Sequence, residues 1–199
     1  MKRIVVFIFL ALSFLLLLGA LMGHFQSRST RERLRIHAEE ALAYCKYNHL
    51  STDYCFLVDF DIHSGKERFF VWDFNQKKVV YSTICAHGYG GKSTLIKADF
   101  SNKPGSNCSS IGRYRLGRVS TMYNHKKIPC IEVSGLDPTC NNARHRGILI
   151  HPSVAQFPTW PVPMFHRTQG CFGLSWRGFK KIKQFKSKTK EPILLWAYK

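Results

Sequence analysis

From Tyr54 onward, the chain consists of short apolar runs that are rich in Val, Ile, Phe and Tyr and are separated by polar turns. The runs are CFLVDFDI, RFFVWDF, KVVYSTICA, KIPCIEVSG and RGILIH, and the connections include HSGKE, HGYGGKS and SNKPGSNCSS. β-branched and aromatic residues favour strands, whereas Gly- and Ser-rich stretches favour turns. Because neither an internal repeat nor a strand–helix–strand alternation is present, we expect a mainly β domain with few helices over residues 54–199.

Residues 29–47 show a helical period instead. Their sequence, STRERLRIHAEEALAYCKY, places apolar side chains three and four residues apart. Ser29, with Glu32 three residues later, has the pattern of a capping box at a helix start. We interpret residues 24–53 as a basic, amphipathic helical linker that precedes the β domain.

The first 23 residues indicate an encounter with a membrane. Lys2 and Arg3 precede an apolar stretch from Ile4 to Met22, whose length lies between that of a signal-peptide core and that of a membrane-spanning helix. Residues 1–23 are therefore predicted to be a signal peptide or an N-terminal membrane anchor. The absence of a clear small-residue cleavage site favours the anchor. The leader alone does not say which side of the membrane the body faces, because Arg28, Arg31, Arg33 and Arg35 downstream compete with Lys2 and Arg3 under the positive-inside rule.

The chain is strongly basic, with 30 Lys and Arg against 12 Asp and Glu and a net charge of +18. This balance predicts an anionic partner, and the leader makes nucleic acid the less favoured one. Seven basic residues fall within WRGFKKIKQFKSKTK, which predicts a short amphipathic helix whose charged face is either solvated or in contact with lipid or an anionic polymer. One alternative for the whole chain is thus a non-catalytic, membrane-tethered basic module.

Two segments carry residues suited to nucleophilic catalysis. RGILIH delivers His151 at the end of an apolar strand, and Thr168-Gln169-Gly170-Cys171 places a glycine before a cysteine. A thiol needs a nearby imidazole to become a thiolate at neutral pH, and glycine lets the backbone approach a reacting carbonyl. Taken singly, such a histidine or cysteine is more often structural.

The spacing of these residues adds information. Sixteen residues separate His151 from Thr168, and the resulting H-x16-T-x-G-C pattern resembles the signature of the L,D-transpeptidases, cysteine enzymes that remodel bacterial peptidoglycan. Four further segments resemble, in the same order, the small murein L,D-transpeptidase catalytic domain: YCFLVDFDIHSGKERFFVWDF, AHGYGG, FSNKPGSNCSSIGRYRLG and GLDPTCNNARHRGILIH. The resemblance covers about Tyr54 to Trp176.

The resemblance implies a β-sandwich or open barrel, no cofactor, and a site on these residues. Cys171 matches the nucleophile and His151 the general base. Thr168 would orient the histidine and the loop, and the backbone at Gly170 would help to build the oxyanion site. A thioester formed on a peptidoglycan stem peptide would be resolved by an amine, giving a cross-link, or by water, giving carboxypeptidase activity. The site would face the periplasm or the outer side of the cytoplasmic membrane.

Three residues are candidates for substrate binding. Arg144 and Arg146 precede the His151 strand and either bind a stem-peptide carboxylate as bidentate forks or form structural ion pairs. His87, in AHGYGG, either contacts the substrate or shapes its own loop. The chain departs from the common family pattern at Pro152, where glycine is usual, and at Phe172-Gly173, where many members have Arg or Asn.

Further predictions concern the remaining cysteines and the loop between the two motifs. Cys171 is one of seven cysteines, and in an exported chain the other six could form up to three disulfides. No cysteine or histidine spacing matches a zinc motif, so no metal is expected. Residues 152–167 contain four prolines and three aromatic residues, which predicts either a stiff aromatic lip over the site or a packed loop.

Overall fold

A computed structural model describes residues 28–124, 126–153 and 157–199. The predicted leader, residues 1–23, lies outside these ranges. Within them, every helix is too short or too polar to cross a bilayer. The chain divides into two compact units, residues 1–37 and 38–199, and the catalytic motifs all lie in the second.

The described residues form two helices and nine strands. Helix α1 covers residues 28–47, and helix α2 covers Trp176–Lys188. The strands are β1 Tyr54–Asp59, β2 Phe69–Asp73, β3 Lys78–Thr83, β4 Cys85–Ala86, β5 Gly112–Asn124, β6 Lys126–Gly135, β7 Leu149–Pro152, β8 Phe172–Leu174 and β9 Leu194–Tyr198.

Ser29 lies within helix α1 and is not its N-cap. Residue 28 is already helical, so Ser29 lies within the helix, where its hydroxyl accepts a hydrogen bond from Arg33 at 3.0 Å. Glu32 pairs with Arg35 at 2.7 Å instead of completing a capping box. The helix ends through His49, whose positive φ of 54° is the left-handed turn that commonly closes a helix.

All nine strands belong to one sheet, in the order β3-β2-β1-β9-β5-β6-β7-β8-β4. Strands β3 and β4 stand at opposite ends of this order, although only Ile84 separates them in the chain. The sheet must therefore curve until its two edges are close together. Most pairs are antiparallel, while β1–β9 and β7–β8 are parallel. The predicted mainly β fold with few helices is confirmed.

Strands β7, β8 and β4 have one face in the core and one face outside it. Successive residues of a strand point to opposite faces, and directly paired residues share a face. Ile150, Phe172 and Leu174 belong to the main core cluster. His151 pairs with Gly173, which pairs with Ala86, so these three residues lie on the other face. We call this second face the outer face; on it Met164 packs against Ile84 and Ala86.

Helix α2 follows β8 directly and has the predicted amphipathic character. The Ser175 hydroxyl caps its start by accepting from the Gly178 N–H at 2.9 Å. Phe179 and Ile182 are buried in the core, whereas most of the Lys and Arg side chains of the helix are exposed. The apolar seam therefore holds the helix on the sheet and leaves a basic surface outside.

Candidate active site

Cys171 differs from the other cysteines by its exposure. All seven cysteines lie in described residues and all are free thiols, six of them buried and Cys171 partly exposed. The predicted disulfides are thus absent from the structure, because the thiols are directed to other partners: Cys140 Sγ contacts the Arg113 carbonyl at 3.2 Å and Cys108 Sγ the Ser106 carbonyl at 3.5 Å. The Cys171 thiol itself points to the Gly147 carbonyl oxygen at 3.6 Å.

His151 lies in β7, and Cys171 lies immediately before the paired strand β8. Gly173 is the β8 partner of His151, and Cys171 precedes Gly173 by two residues. A strand spacing of about 4.8 Å and a two-residue rise correspond to about 8 Å between the Cα atoms of His151 and Cys171. The two residues are thus neighbours in the fold, while the His151 ring contacts the Pro152 carbonyl and the Cys171 thiol contacts the Gly147 carbonyl.

The imidazole of His151 is oriented by the next residue. Its Nδ1 lies 3.3 Å from the carbonyl oxygen of Pro152, which can only accept, so we assign the proton to Nδ1. This assignment leaves the lone pair on Nε2, where it is available as a base. Although position 152 is a proline, its backbone carbonyl oxygen is still available to orient the His151 ring.

Burial makes this pair uncharged at rest. It lowers the pKa of His151, and the nearby charge of His166 acts in the same direction. Burial also raises the pKa of Cys171, against the opposing effects of a backbone hydrogen bond at Leu149 and the charge of Arg146. At neutral pH the site therefore holds a thiol and a neutral imidazole.

Thr168 fixes the turn that carries the nucleophile. Its hydroxyl donates to the Cys171 carbonyl oxygen at 2.7 Å and accepts from the Gly170 N–H at 3.2 Å, so one side chain ties both ends of the turn. Its backbone pairs with the chain beyond β4, through bonds to His87 at 2.9 Å and Tyr89 at 3.0 Å. Since Thr168 occupies the Gly170 N–H, that group is not open to an oxyanion.

Gly170 contributes its conformation and its lack of a side chain. Its φ of +111° lies in a region that side chains rarely adopt. A Cβ at this position would lie 2.5 Å from the Cys108 carbonyl oxygen and 3.0 Å from Nη2 of Arg146. Glycine thus allows the nucleophile's turn to pack directly on the Arg146 guanidinium.

Arg146 is a cation surrounded by neutral oxygens. Its Nη1 donates to the Ser101 carbonyl at 2.9 Å and to the Ser110 hydroxyl, and its Nη2 donates to the Cys108 carbonyl at 2.5 Å. In the described part of the chain no carboxylate neutralises it. The FSNKPGSNCSS segment, noted in the sequence only for its resemblance, therefore serves as a cradle for this guanidinium.

Arg144 and His87 occupy different settings. Arg144 is exposed and lies 3.9 Å from Glu132, whose β7 partner is Leu149, so it stands at the rim of the outer face. His87 is buried, with Nε2 donating to the Thr94 carbonyl at 2.8 Å and Nδ1 accepting from Arg68 at 2.7 Å. Burial and the Arg68 charge lower the pKa of His87 to about 4. Both of its ring nitrogens are occupied, which agrees with the loop-shaping alternative.

Arg68 is a functional support that the sequence patterns did not indicate. It is fully buried, and besides His87 its guanidinium donates to the Cys85 carbonyl at 2.8 Å. Because burial removes solvent from the guanidinium, the pKa of Arg68 falls to about 10. The only signal in the sequence was a basic residue at the start of an apolar strand, RFFVWDF, where a buried charge is uncommon.

The loop between the two motifs is anchored at its base and exposed at its tip. The N–H groups of Thr159 and Trp160 donate to the Gly65 carbonyl, and the Met164 N–H donates to the Ser64 hydroxyl at 3.0 Å. Phe157, Trp160 and Phe165 remain exposed. The anchored base agrees with the packed-loop alternative for residues 157–167, while residues 154–156 lie outside the described ranges.

We expect Arg146 to set the reactivity of Cys171. Arg146→Gln should raise the pKa of the thiol and slow its alkylation at neutral pH about tenfold, the effect of roughly one pKa unit. Arg146→Lys keeps the charge and should recover most of the rate, and exposed Arg115→Gln is the control. Equal slowing in the Lys and Gln variants would show that the hydrogen bonds matter and not the charge. Alkylation rates followed over a range of pH distinguish these outcomes.

The chain is similar to one known protein family and to several solved structures. The family model of the L,D-transpeptidase catalytic domain matches residues 27–198. Among solved structures, the chain is similar to the L,D-transpeptidase from Xylanimonas cellulosilytica, with 12% identity, a TM-score of 0.43, and coverage of 74% of this chain and 61% of that one. It is also similar to the helical cell shape determining protein Pgp2 from Campylobacter jejuni, with 15% identity, a TM-score of 0.45, and coverage of 73% and 47%.

The chain thus spans less than two thirds of the length of these solved structures, and no curated protein matches it. The family match, in contrast, covers most of the chain and contains every residue of the site described above. The chain belongs to the family of L,D-transpeptidase catalytic domains.

Proposed function

We propose that this protein is a cysteine-dependent peptidoglycan L,D-transpeptidase with Cys171 as nucleophile and His151 as general base. The observation that carries the proposal is their nearness in the fold: the partly exposed thiol of Cys171 lies immediately before β8, and the buried imidazole of His151, whose Nδ1 is held by the Pro152 carbonyl, lies on the paired strand β7. Membership of the family implies an enzyme that acts on peptidoglycan and works in the cell envelope.

The first half of the reaction forms a thioester. Nε2 of His151 takes the thiol proton, and Sγ of Cys171 attacks the carbonyl carbon of the L,D-peptide bond in a donor stem peptide. The C–S bond forms as the C–N bond breaks, and the imidazolium returns the proton to the departing amine of the D-amino acid. Arg146 is the fixed positive charge beside this turn, so it favours both the thiolate and the oxyanion that follows.

The second half releases the acyl group to a nucleophile. An amine on a second stem peptide gives a cross-link, whereas water gives a shortened stem peptide and hence L,D-carboxypeptidase activity. In both cases neutral His151 accepts a proton from the nucleophile and passes it to the sulfur of Cys171 as the C–S bond breaks. Thr168 acts as a positioning residue, because it holds the Cys171 carbonyl and not the substrate.

The test is a reaction of the purified full chain with a soluble stem tetrapeptide. We expect intact-mass measurement to show an acyl adduct on the protein, and product analysis to show release of the terminal D-amino acid. The alternative of a non-catalytic basic module, favoured by the exposed charges of α2, predicts salt-sensitive binding and unchanged tetrapeptide. Absence of both adduct and cleavage, with binding retained, would favour that alternative.

A further inference from the structure

A cavity of about 200 Å³ lies between strand β3, the loop after β7 and the start of helix α2. Its lining includes one acidic and one basic side chain, Glu67 and Arg177, together with the ring of Tyr81. Glu67 accepts a hydrogen bond from the Ser82 hydroxyl. In the described part of the chain Glu67 and Arg177 form no ion pair with each other, so both charges remain available to a ligand.

This cavity lies on the outer face, in line with the catalytic pair. Ile84 and Ser175 line it, and each adjoins one residue of the Cys85–Leu174 pair that joins β4 to β8. Ile84 packs with Ala86 on the outer face. At about 3.3 Å per residue, Ser175 is about 13 Å from Cys171 along the strand, the length of a short extended peptide.

Ser153 stands between the two sites with an unused hydroxyl. Its N–H donates to the Leu174 carbonyl at 2.8 Å, which fixes it beside β8. Its Oγ is buried and finds no hydrogen-bond partner among the described residues. A Cβ on Gly173 would lie 2.3 Å from this oxygen, so the hydroxyl reaches over the residue that pairs with His151. Burying an unpaired hydroxyl is costly, which suggests a partner that arrives with the substrate.

The position of His151 indicates which of the two substrates, the donor peptide or the incoming nucleophile, would lie on the side of Ser153 and the cavity. In the second half-reaction the base must contact the incoming nucleophile as well as the sulfur. The Arg146 cradle and the Gly170 turn lie before Cys171, whereas His151, Ser153 and the cavity lie beyond it along β8. The nucleophile should therefore approach from the side of the cavity.

We propose that the path from Ser153 to the Glu67–Arg177 cavity is the acceptor site, and that it selects a peptide amine that also carries a carboxylate. This inference rests on the proposed function. Arg177 binds the acceptor's carboxylate, Glu67 accepts an N–H of the same molecule, and Ser153 hydrogen-bonds the segment between them. The acceptor amine then attacks the thioester carbonyl, its proton passes to His151 and on to the sulfur, and the C–N bond replaces the C–S bond.

The experiment measures how the acyl-enzyme is partitioned between amine and water. The full chain receives a stem-tetrapeptide donor together with a stem-tripeptide acceptor, or with the same tripeptide amidated at its carboxyl groups. For the wild type we expect the ratio of transfer to hydrolysis to be about tenfold higher with the free carboxylates, the usual effect of one charge-assisted hydrogen bond. In Arg177→Gln the two acceptors should become equal.

Two further variants separate binding from folding. Lys181→Gln changes another exposed cation of α2 and should leave the ratio at the wild-type value. Ser153→Ala should lower the ratio while the free energy of unfolding stays the same or rises, because the variant removes an unpaired buried hydroxyl. Donor cleavage by Lys181→Gln in the absence of acceptor should also keep its wild-type rate.

The outcomes distinguish the two proposals. Normal donor cleavage with an unchanged ratio in Arg177→Gln and Ser153→Ala would overturn the acceptor site alone. Failure of the wild type to cleave the donor would overturn the proposed function, and the acceptor site with it.

Discussion

Replacement of Cys171 by alanine is expected to reduce donor cleavage by about 10⁴-fold or more, because removal of the nucleophile from a covalent mechanism eliminates the acyl-enzyme route altogether. The fold should be retained. The thiol is partly exposed and its contact with the Gly147 carbonyl is long, at 3.6 Å, so little packing is lost. Cleavage assays, combined with thermal unfolding of the same preparation, check both statements.

Cys108→Ala provides the matched control. Cys108 lies in the cradle of Arg146, so it is close to the site, but its buried thiol faces the Ser106 carbonyl at 3.5 Å and has no role in the proposed reaction. The control should retain activity within a few-fold of the wild type. A Cys171→Ala protein that still forms an acyl adduct, or a Cys108→Ala protein that loses it, would contradict the assignment of the nucleophile.

His151→Gln is expected to lower the rate by 10²–10⁴-fold, the usual contribution of a general base. The pH profile gives the sharper result. Because burial lowers the pKa of His151, the imidazole is neutral above a value that lies below its ordinary 6.5, and wild-type activity should rise with pH in that acidic range. In the variant Cys171 must ionise unaided, and since its pKa is raised above 9.0, the rise should move to alkaline pH.

The same lowered pKa affects stability. The unfolded chain binds a proton at His151 near pH 6.5, while the folded chain resists it, so this histidine reduces the free energy of unfolding as the pH falls below about 6.5. His151→Gln should remove that acid-side loss. A variant whose activity profile keeps the wild-type acidic limb would show that another group, such as His166, is the base.

The sequence predicted the strands that alternate or are strongly apolar, but not those that depend on neighbours far along the chain. Strands β1, β2, β3, β4, β6 and β7 fall within the predicted runs, to within one residue at their ends. The patterns did not indicate β9, the run LLWAY that pairs with β1 and β5, because a short apolar run after a basic helix has no period of its own. The predicted capping role of Ser29 was wrong, because residue 28 is already helical and Ser29 therefore lies within the helix.

The sequence could predict only those residues of the candidate site that a spacing motif joins. His151 and Cys171 belong to one spacing motif, H-x16-T-x-G-C, so the sequence could predict both, and the fold has His151 in β7 and Cys171 immediately before the paired strand β8. The supports of the site were beyond reach, because the Arg68–His87 contact and the cradle of Arg146 join residues 19 and up to 45 positions apart. The number of cysteines was equally uninformative about disulfides, since an odd or even count does not say which thiols lie close together.

The position of β9 has a consequence for how the protein is made. This strand, Leu194–Tyr198, occupies the middle of the sheet between β1 and β5, although it is the last strand in the chain. As the polypeptide emerges from the ribosome or from a translocation channel, one edge of β1 and one edge of β5 lack their β9 hydrogen bonds until residues 194–198 have been synthesised. The sheet is therefore closed only after the residues around Cys171 have been synthesised, and a chain still in transit carries this thiol before the sheet is complete.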